Sequence, residues 1–204
     1  MNHMYSSEMI RLSRACEAME IPSGIPYTMP AGSPVRITQQ LGGSYTVTAL
    51  DSGRMYRIDP KDVDALGISV SPEQSPAAPQ GELSEKMVWD VLKTVYDPEI
   101  PVNIADLGLI YSCVISRHEK GGHLIDIKMS MTAPGCGMGN VLKADVERRL
   151  SQLPDVTEVR AEIVFEPAWH PGRMSQAAKL QLGFDLDYGT TPSPADLPIM
   201  KEPR

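Results

Sequence analysis

The chain has 204 residues, of which 42% are hydrophobic and 22% charged, enough for one or two domains with packed cores. A net charge of -7 without any Lys/Arg block, and an aromatic share of only 5%, argue against a nucleic-acid partner held through phosphate contacts or base stacking. No run reaches the roughly 18 apolar residues of a membrane-spanning helix, and three scattered cysteines (Cys16, Cys113, Cys136) are too few for a disulfide framework, so the expected setting is the reducing cytoplasm.

In chain order, residues 1–24 read as an N-terminal segment without an assigned element. It mixes Arg11 and Arg14 with Glu8, Glu17 and Glu20 and has no apolar stretch, so neither a signal peptide nor a mitochondrial leader is expected. Cys16 falls in this segment and is expected to be mobile.

Residues 25–70 read as a small β module. Val35-Arg36-Ile37-Thr38-Gln39 alternates apolar and polar, Gly42-Gly43 supplies a turn, and Tyr45, Val47 and Ala49 alternate again. Asp51-Ser52-Gly53 turns the chain into a third strand at Met55–Ile58, giving a meander; Pro60 to Leu66 then makes a helical turn closed by Gly67. The stretch SPEQSPAAPQ, residues 71–80, reads as a Pro-rich linker.

Residues 81–184 alternate helix and strand. Leu83, Met87, Val88, Val91, Leu92 and Val95 recur at helical spacing, which predicts a helix over 84–96 with Ser84 as N-cap and Pro98 as its stop. Leu109, Tyr111, Cys113 and Ile115 are expected on one strand face, followed by a Gly121-Gly122 turn. In the next strand Ile125, Ile127, Met129 and Met131 point one way and Asp126, Lys128 and Ser130 the other. Leu142, Val146, Leu150 and Leu153 mark a second helix, Val159, Ala161, Ile163 and Phe165 a third strand, and Ser175–Leu182 a last helix closed by Gly183. The fold class is therefore α+β: helices on one face of a small mixed sheet in the order α-β-β-α-β-α, preceded by the β-meander module. The Pro-rich tail, residues 185–204, reads as disordered.

Chemistry is concentrated in two segments. Met131-Thr132-Ala133-Pro134-Gly135-Cys136-Gly137-Met138-Gly139 lies between a strand end and a helix start, which places Cys136 where unpaired backbone N–H groups favour a thiolate. Such a thiolate ligates iron or zinc, or attacks electrophiles; equally, the loop is a plain strand-to-helix turn whose small cysteine packs. No Lys-Ser/Thr pair follows, which disfavours a phosphate loop, and no Cys-x-x-Cys occurs, which disfavours a dithiol pair or zinc ribbon. The second segment is Asp97-Pro98-Glu99 to Asp106-Leu107-Gly108, whose carboxylates either complete a metal site or cap turns. Trp169 is expected to be a lid on the core and His170 an exposed loop residue rather than a ligand; Cys113, mid-strand on an apolar face, is expected to be inert.

The runs DPEIPVNIADLGLIY, MTAPGCGMG and FEPAWHPGRMSQAAKLQLGF together resemble the MIP18-like family of metal–sulfur cluster maturation factors, over essentially all of 84–184. The stretch VRITQQLGGSYTVTALDSGRMYRIDPKDVDALG further resembles the N-terminal extension of the family's bacterial SufT branch. The resemblance implies an auxiliary, non-enzymatic role in building iron–sulfur clusters or delivering them to apo-proteins. Its partners would be apo iron–sulfur clients and other assembly proteins, with no nucleic acid or membrane. The family's cysteine falls on Cys136 and its acidic motif on Asp97, Glu99 and Asp106, implying metal contacts there; Thr132, Gly135 and Gly137 would line the cluster-binding loop. One thiolate is short of the four that a cluster usually takes, so a homodimer would supply a second Cys136. The alternatives are an accessory subunit of a multicomponent oxygenase, a cysteine-dependent enzyme, which would need a base that the sequence does not pair with Cys136, and a metal-free interaction adaptor.

Overall fold

The computed structural model describes residues 9–68 and 81–184; the linker expected at 71–80 and the tail expected at 185–204 lie outside the described residues. The chain divides into two compact units, Met1–Ala77 with Pro98–Pro101, and Ala78–Asp97 with Val102–Arg204.

The first unit is built on one antiparallel sheet of six strands: β1 (Ile10–Arg11), β2 (Cys16–Ile21), β3 (Pro26–Met29), β4 (Pro34–Leu41), β5 (Ser44–Ala49) and β6 (Met55–Ile58). The spatial order is β1-β4-β5-β6-β2-β3. The expected meander is β4-β5-β6. Its first turn is made by Gly42 (φ 59°) and Gly43 (φ 81°) between the paired Leu41 and Ser44, the two-residue primed turn whose double positive φ suits glycine and matches the twist of the strands. Pro60–Leu66 is a 3-10 helix closed by Gly67.

The unit begins earlier than expected. β1 pairs with β4, and β2 is sandwiched between β6 and β3, so the ordered sheet starts at Ile10 rather than near residue 25. Cys16, expected in a mobile segment, is instead 3% exposed, packed with Met29, Val35, Val47, Tyr56 and Ile58. The buried residues of β2 are Cys16, Ala18 and Ile21, two of them small and the third out of the period-2 phase, which weakens the strand signal; it pairs with its neighbour β3 and with the distant β6.

The second unit contains α1 (Glu85–Leu92), β7 (Ile110–Arg117), β8 (His123–Met129), α2 (Gly139–Leu150), β9 (Val156–Ile163) and α3 (Gln176–Gln181), the α-β-β-α-β-α order of an α+β fold. Its sheet is mixed: β7 runs antiparallel to β8, and β8 parallel to β9 with α2 as the crossover helix. Leu92, Val95, Leu142, Val146 and Leu150 are fully buried, where α2 packs on α1 and β9. The Ser84 hydroxyl accepts from Met87 N at 3.3 Å as the N-cap of α1. α1 ends at Leu92 rather than 96, because Thr94 Oγ1 bonds back to Val91 O (2.7 Å) and Tyr96 leaves the helix to bridge Asn103. At the end of α3, Gly183 N donates to Leu180 O (3.2 Å) and Phe184 N to Lys179 O (2.8 Å), a Schellman closure with Gly183 at C′.

Three strand-face expectations are corrected. The register of β7 against β8 shifts between Ile110 and Ser112, a bulge at Tyr111, so Leu109 and Ile110 are both buried and Tyr111 leaves the inward face it was expected to share with Cys113. β8 ends at Met129, so Ser130, expected to face out with Asp126 and Lys128, is 1% exposed. β9 ends at Ile163, so Phe165, expected to share one face of this strand with Val159, Ala161 and Ile163, lies beyond it and is 50% exposed.

Candidate functional site at one end of the mixed sheet

Three connecting segments meet at one end of the second unit's sheet. β7 begins at Ile110, opposite the last residue of β8, Met129, which in turn lies beside the last residue of β9, Ile163. Ser130 N donates to Leu109 O and Val164 N to Met129 O, both at 2.8 Å. The segments 103–109, 130–138 and 164–175 therefore leave a rigid scaffold side by side, the arrangement in which loops carry function.

Cys136 stands in the middle segment. It is half-buried, with Ala133, Pro134 and Gly135 exposed before it. Two linked turns hold it: Cys136 N donates to Ala133 O (3.4 Å) and Gly139 N donates to Cys136 O (3.3 Å). α2 starts at Gly139 with Met138 as an N-cap that offers no side-chain hydrogen bond, so no polar side chain of the cap covers the positive end of the helix two residues beyond Cys136. Thr132 and Gly137 are half-buried and Gly135 is exposed.

The other two cysteines are in a different situation. Cys113 is 3% exposed, and burial, followed by the nearby charge of Glu85, pushes its thiol up to about 12. Burial also raises the Cys16 thiol, with the Asp62 carboxylate adding to the effect. In the folded chain iodoacetamide should therefore label Cys136 first. A raised thiol pKa leaves little thiolate below it, so labelling of Cys113 should stay slow up to pH 9–10, where an exposed thiol would react freely. Mass spectrometry of timed digests checks this, and labelling of Cys113 as fast as Cys136 would contradict the burial.

The three carboxylates of the acidic motif stand in different local settings. Asp97 is 4% exposed, and its backbone N–H donates to Val102 O (3.2 Å). Glu99 is exposed and falls with the first unit. Asp106 Oδ2 accepts Asn103 Nδ2 at 2.6 Å while Asn103 Oδ1 accepts Asp106 N at 2.8 Å, a reciprocal exchange that caps the turn leading to Gly108. Among the described residues, no three of His, Cys, Asp and Glu come together in a way that could hold a metal ion. Among the described residues, Cys136, Asp97, Glu99 and Asp106 do not form a group of three that could hold a metal ion.

The third segment straps the first. Trp169 Nε1 donates to Leu107 O (2.8 Å), Ser175 N to Asp106 O (2.8 Å) and Arg173 Nε to Gly108 O (3.4 Å). Trp169 is thus a half-buried clasp on a loop carbonyl rather than a lid on the core; His170 is exposed. Asn103, Tyr111 and Arg173 escaped the sequence reading. The Asn-x-x-Asp spacing of residues 103–106 is a legible turn signal, whereas nothing local to Arg173 marks it.

Residues 85–163, from α1 to the end of β9, match the family model described as iron-sulfur cluster assembly protein. The six-stranded sheet lies outside that match. The chain is similar to the Fe-S protein maturation auxiliary factor of Porphyromonas gingivalis, at 38% identity over 101 residues covering 92% of that protein and 50% of this chain. It is also similar to the Fe-S protein maturation auxiliary factor YitW of Bacillus subtilis, at 34% identity over 102 residues, 96% of that protein and 50% of this chain. Against the Fe-S protein maturation auxiliary factor SufT of Staphylococcus aureus the identity is 34% over 89 residues, 97% of that protein and 44% of this chain. Asp97, Glu99, Asp106, Thr132, Gly135, Cys136 and Gly137 all lie within the family match. With relatives of this identity spanned nearly end to end, the chain belongs to the iron–sulfur cluster assembly family that includes the SufT-type Fe-S protein maturation auxiliary factors.

Proposed function

We propose that the chain is a non-catalytic factor that helps assemble an iron–sulfur cluster or passes it to apo-proteins, and that the Cys136 thiolate is its ligand to the cluster in transit. The observation that carries this is the contrast among the cysteines: Cys16 and Cys113 are each 3% exposed in sheet cores, while Cys136 is half-buried in a loop at the end of a rigid sheet. The relatives' names, Fe-S protein maturation auxiliary factor, support the same class.

A single thiolate leaves most of a cluster's coordination to others. With no three-ligand group among the described residues, the remaining ligands come from a second copy of the chain, from the client, or from a small thiol. A shell completed from outside suits a carrier, since a cluster enclosed by one chain would be slow to leave. The partners under this reading are apo iron–sulfur clients and the assembly machinery, in the cytoplasm. No helix among the described residues is long and apolar enough to cross a membrane.

Anaerobic reconstitution with iron and sulfide tests the reading. Wild type should develop a visible chromophore that Cys136→Ser lacks, and native mass should show whether the cluster-loaded form is one chain or two. A chromophore of equal intensity in both proteins would remove Cys136 as ligand, and none in either would leave an adaptor role.

A further inference from the structure

We propose that Arg173 is an anion-binding residue for sulfide-rich metal anions at the sheet end that carries Cys136. The proposal rests on the cluster-handling reading for its biological cargo. A cluster coordinated by thiolates is an anion, so a cation fixed at the site would favour its binding.

Arg173 is half-buried and fixed by two uncharged groups. Its Cζ lies 3.9 Å from the centroid of the Tyr111 ring, and its Nε donates to Gly108 O at 3.4 Å. The ring is itself held in place, since Tyr111 Oη donates to Pro167 O at 2.8 Å. Stacking occupies the face of a guanidinium and leaves its in-plane N–H edges directed elsewhere. No carboxylate among the described residues pairs with this side chain. Among the described residues Arg14, Arg54, Arg57, Arg148, Arg149 and Arg160 have one, while Arg11, Arg36 and Arg117, which like Arg173 have none, are exposed where Arg173 is half-buried.

The absence of a carboxylate here is informative because acids outnumber bases by 26 to 19 in this chain. A guanidinium that is partly withdrawn from water and already oriented, yet lacks an internal counter-ion, is preorganised for an external one. Its place in the topology supplies the rest. Arg173 grips the carbonyl of Gly108, and the next carbonyl, Leu109 O, accepts from Ser130 N, the residue that opens the segment running to Cys136. The bulge at Tyr111 is what turns the ring out of the inward face of β7, so the irregularity in that strand serves to seat the cation.

The test uses tetrathiomolybdate, a stable sulfide-rich metal dianion, titrated into the full chain without iron and followed by its absorption. Wild type should bind it, with affinity falling as salt is added. Arg173→Gln should bind roughly tenfold or more weakly, the loss expected of a charged hydrogen-bond donor. Arg173→Lys, which keeps the charge but loses the planar fork and the stacking face, should fall in between. Melting curves of the three proteins show whether each is folded under the assay conditions. Equal affinity of wild type and either folded variant, salt-independent binding, or no binding by wild type overturns the proposal. A loss in Arg173→Gln, alongside failure of wild type to assemble a cluster from iron and sulfide, would keep the anion site and overturn the cluster-handling reading instead.

Discussion

Replacing Gly108 with alanine should cost the second unit about 3–5 kcal/mol, a large part of the 5–15 kcal/mol that holds a domain together. Two penalties combine. Gly108 sits at φ +70°, where a Cβ clashes with its own backbone at roughly 1–2 kcal/mol. A Cβ there would also stand 2.2 Å from Arg173 O and 2.7 Å from Arg173 C. These are main-chain atoms of the strap that Trp169 and Ser175 fasten to Leu107 O and Asp106 O, so they cannot swing aside as a side-chain tip would. Thermal unfolding followed by circular dichroism should show the transition more than 10 °C below wild type, or no cooperative transition. Gly135→Ala is the matched control: its φ is +83°, but nothing lies within 4 Å of the added carbon, so only the conformational penalty of about 1 kcal/mol applies. Equal melting points for the two variants would mean that the strap is not packed against the loop as described.

That strap shows where the sequence reading stops. Elements whose signal is local were legible: the double-glycine turn at Gly42-Gly43, the Ser84 cap, the apolar stripe Leu142, Val146, Leu150, and the Gly183 closure each depend on residues within a few positions of one another. What was lost depends on partners distant in the chain. One of the two partners of β2 is β6, more than thirty residues downstream, and its buried residues Cys16, Ala18 and Ile21 break the alternation that would mark a strand. The phase of β7 changes at a bulge that no local rule marks. The site divides in the same way. Cys136 could be singled out from its Gly-rich loop before a helix, whereas Arg173 acquires its meaning only when β7 brings Tyr111 and Gly108 beneath it. The acidic motif was the converse case. Three carboxylates within ten residues left a metal site and turn capping both open, and Asp106 is the one whose capping partner, Asn103, was legible from its spacing.

Cys136→Ala should abolish cluster delivery while leaving the fold almost untouched, and the separation of those two effects is what distinguishes a working thiol from a packing one. The turns that hold the residue are made by its main-chain N–H and C=O, to Ala133 and from Gly139, which alanine makes equally well. Exposed residues precede it, so removing one sulfur opens no cavity in the core, and the change in stability should stay within about 0.5 kcal/mol. Cys113→Ala reverses the pattern. Its sulfur is 3% exposed between the strands and the core helices, so its loss should cost about 1–2 kcal/mol, with delivery retained. The measurement is the activity of iron–sulfur client enzymes in cells whose only copy of the gene carries each variant, with soluble protein levels quantified alongside. Client activity in the Cys136→Ala strain should fall to that of a deletion strain at wild-type protein abundance. Normal client activity at normal abundance would show that the sulfur is dispensable, and the role would then have to be sought in the surfaces around it: the exposed Phe165, the fixed guanidinium of Arg173, or the six-stranded unit that the family match leaves uncovered.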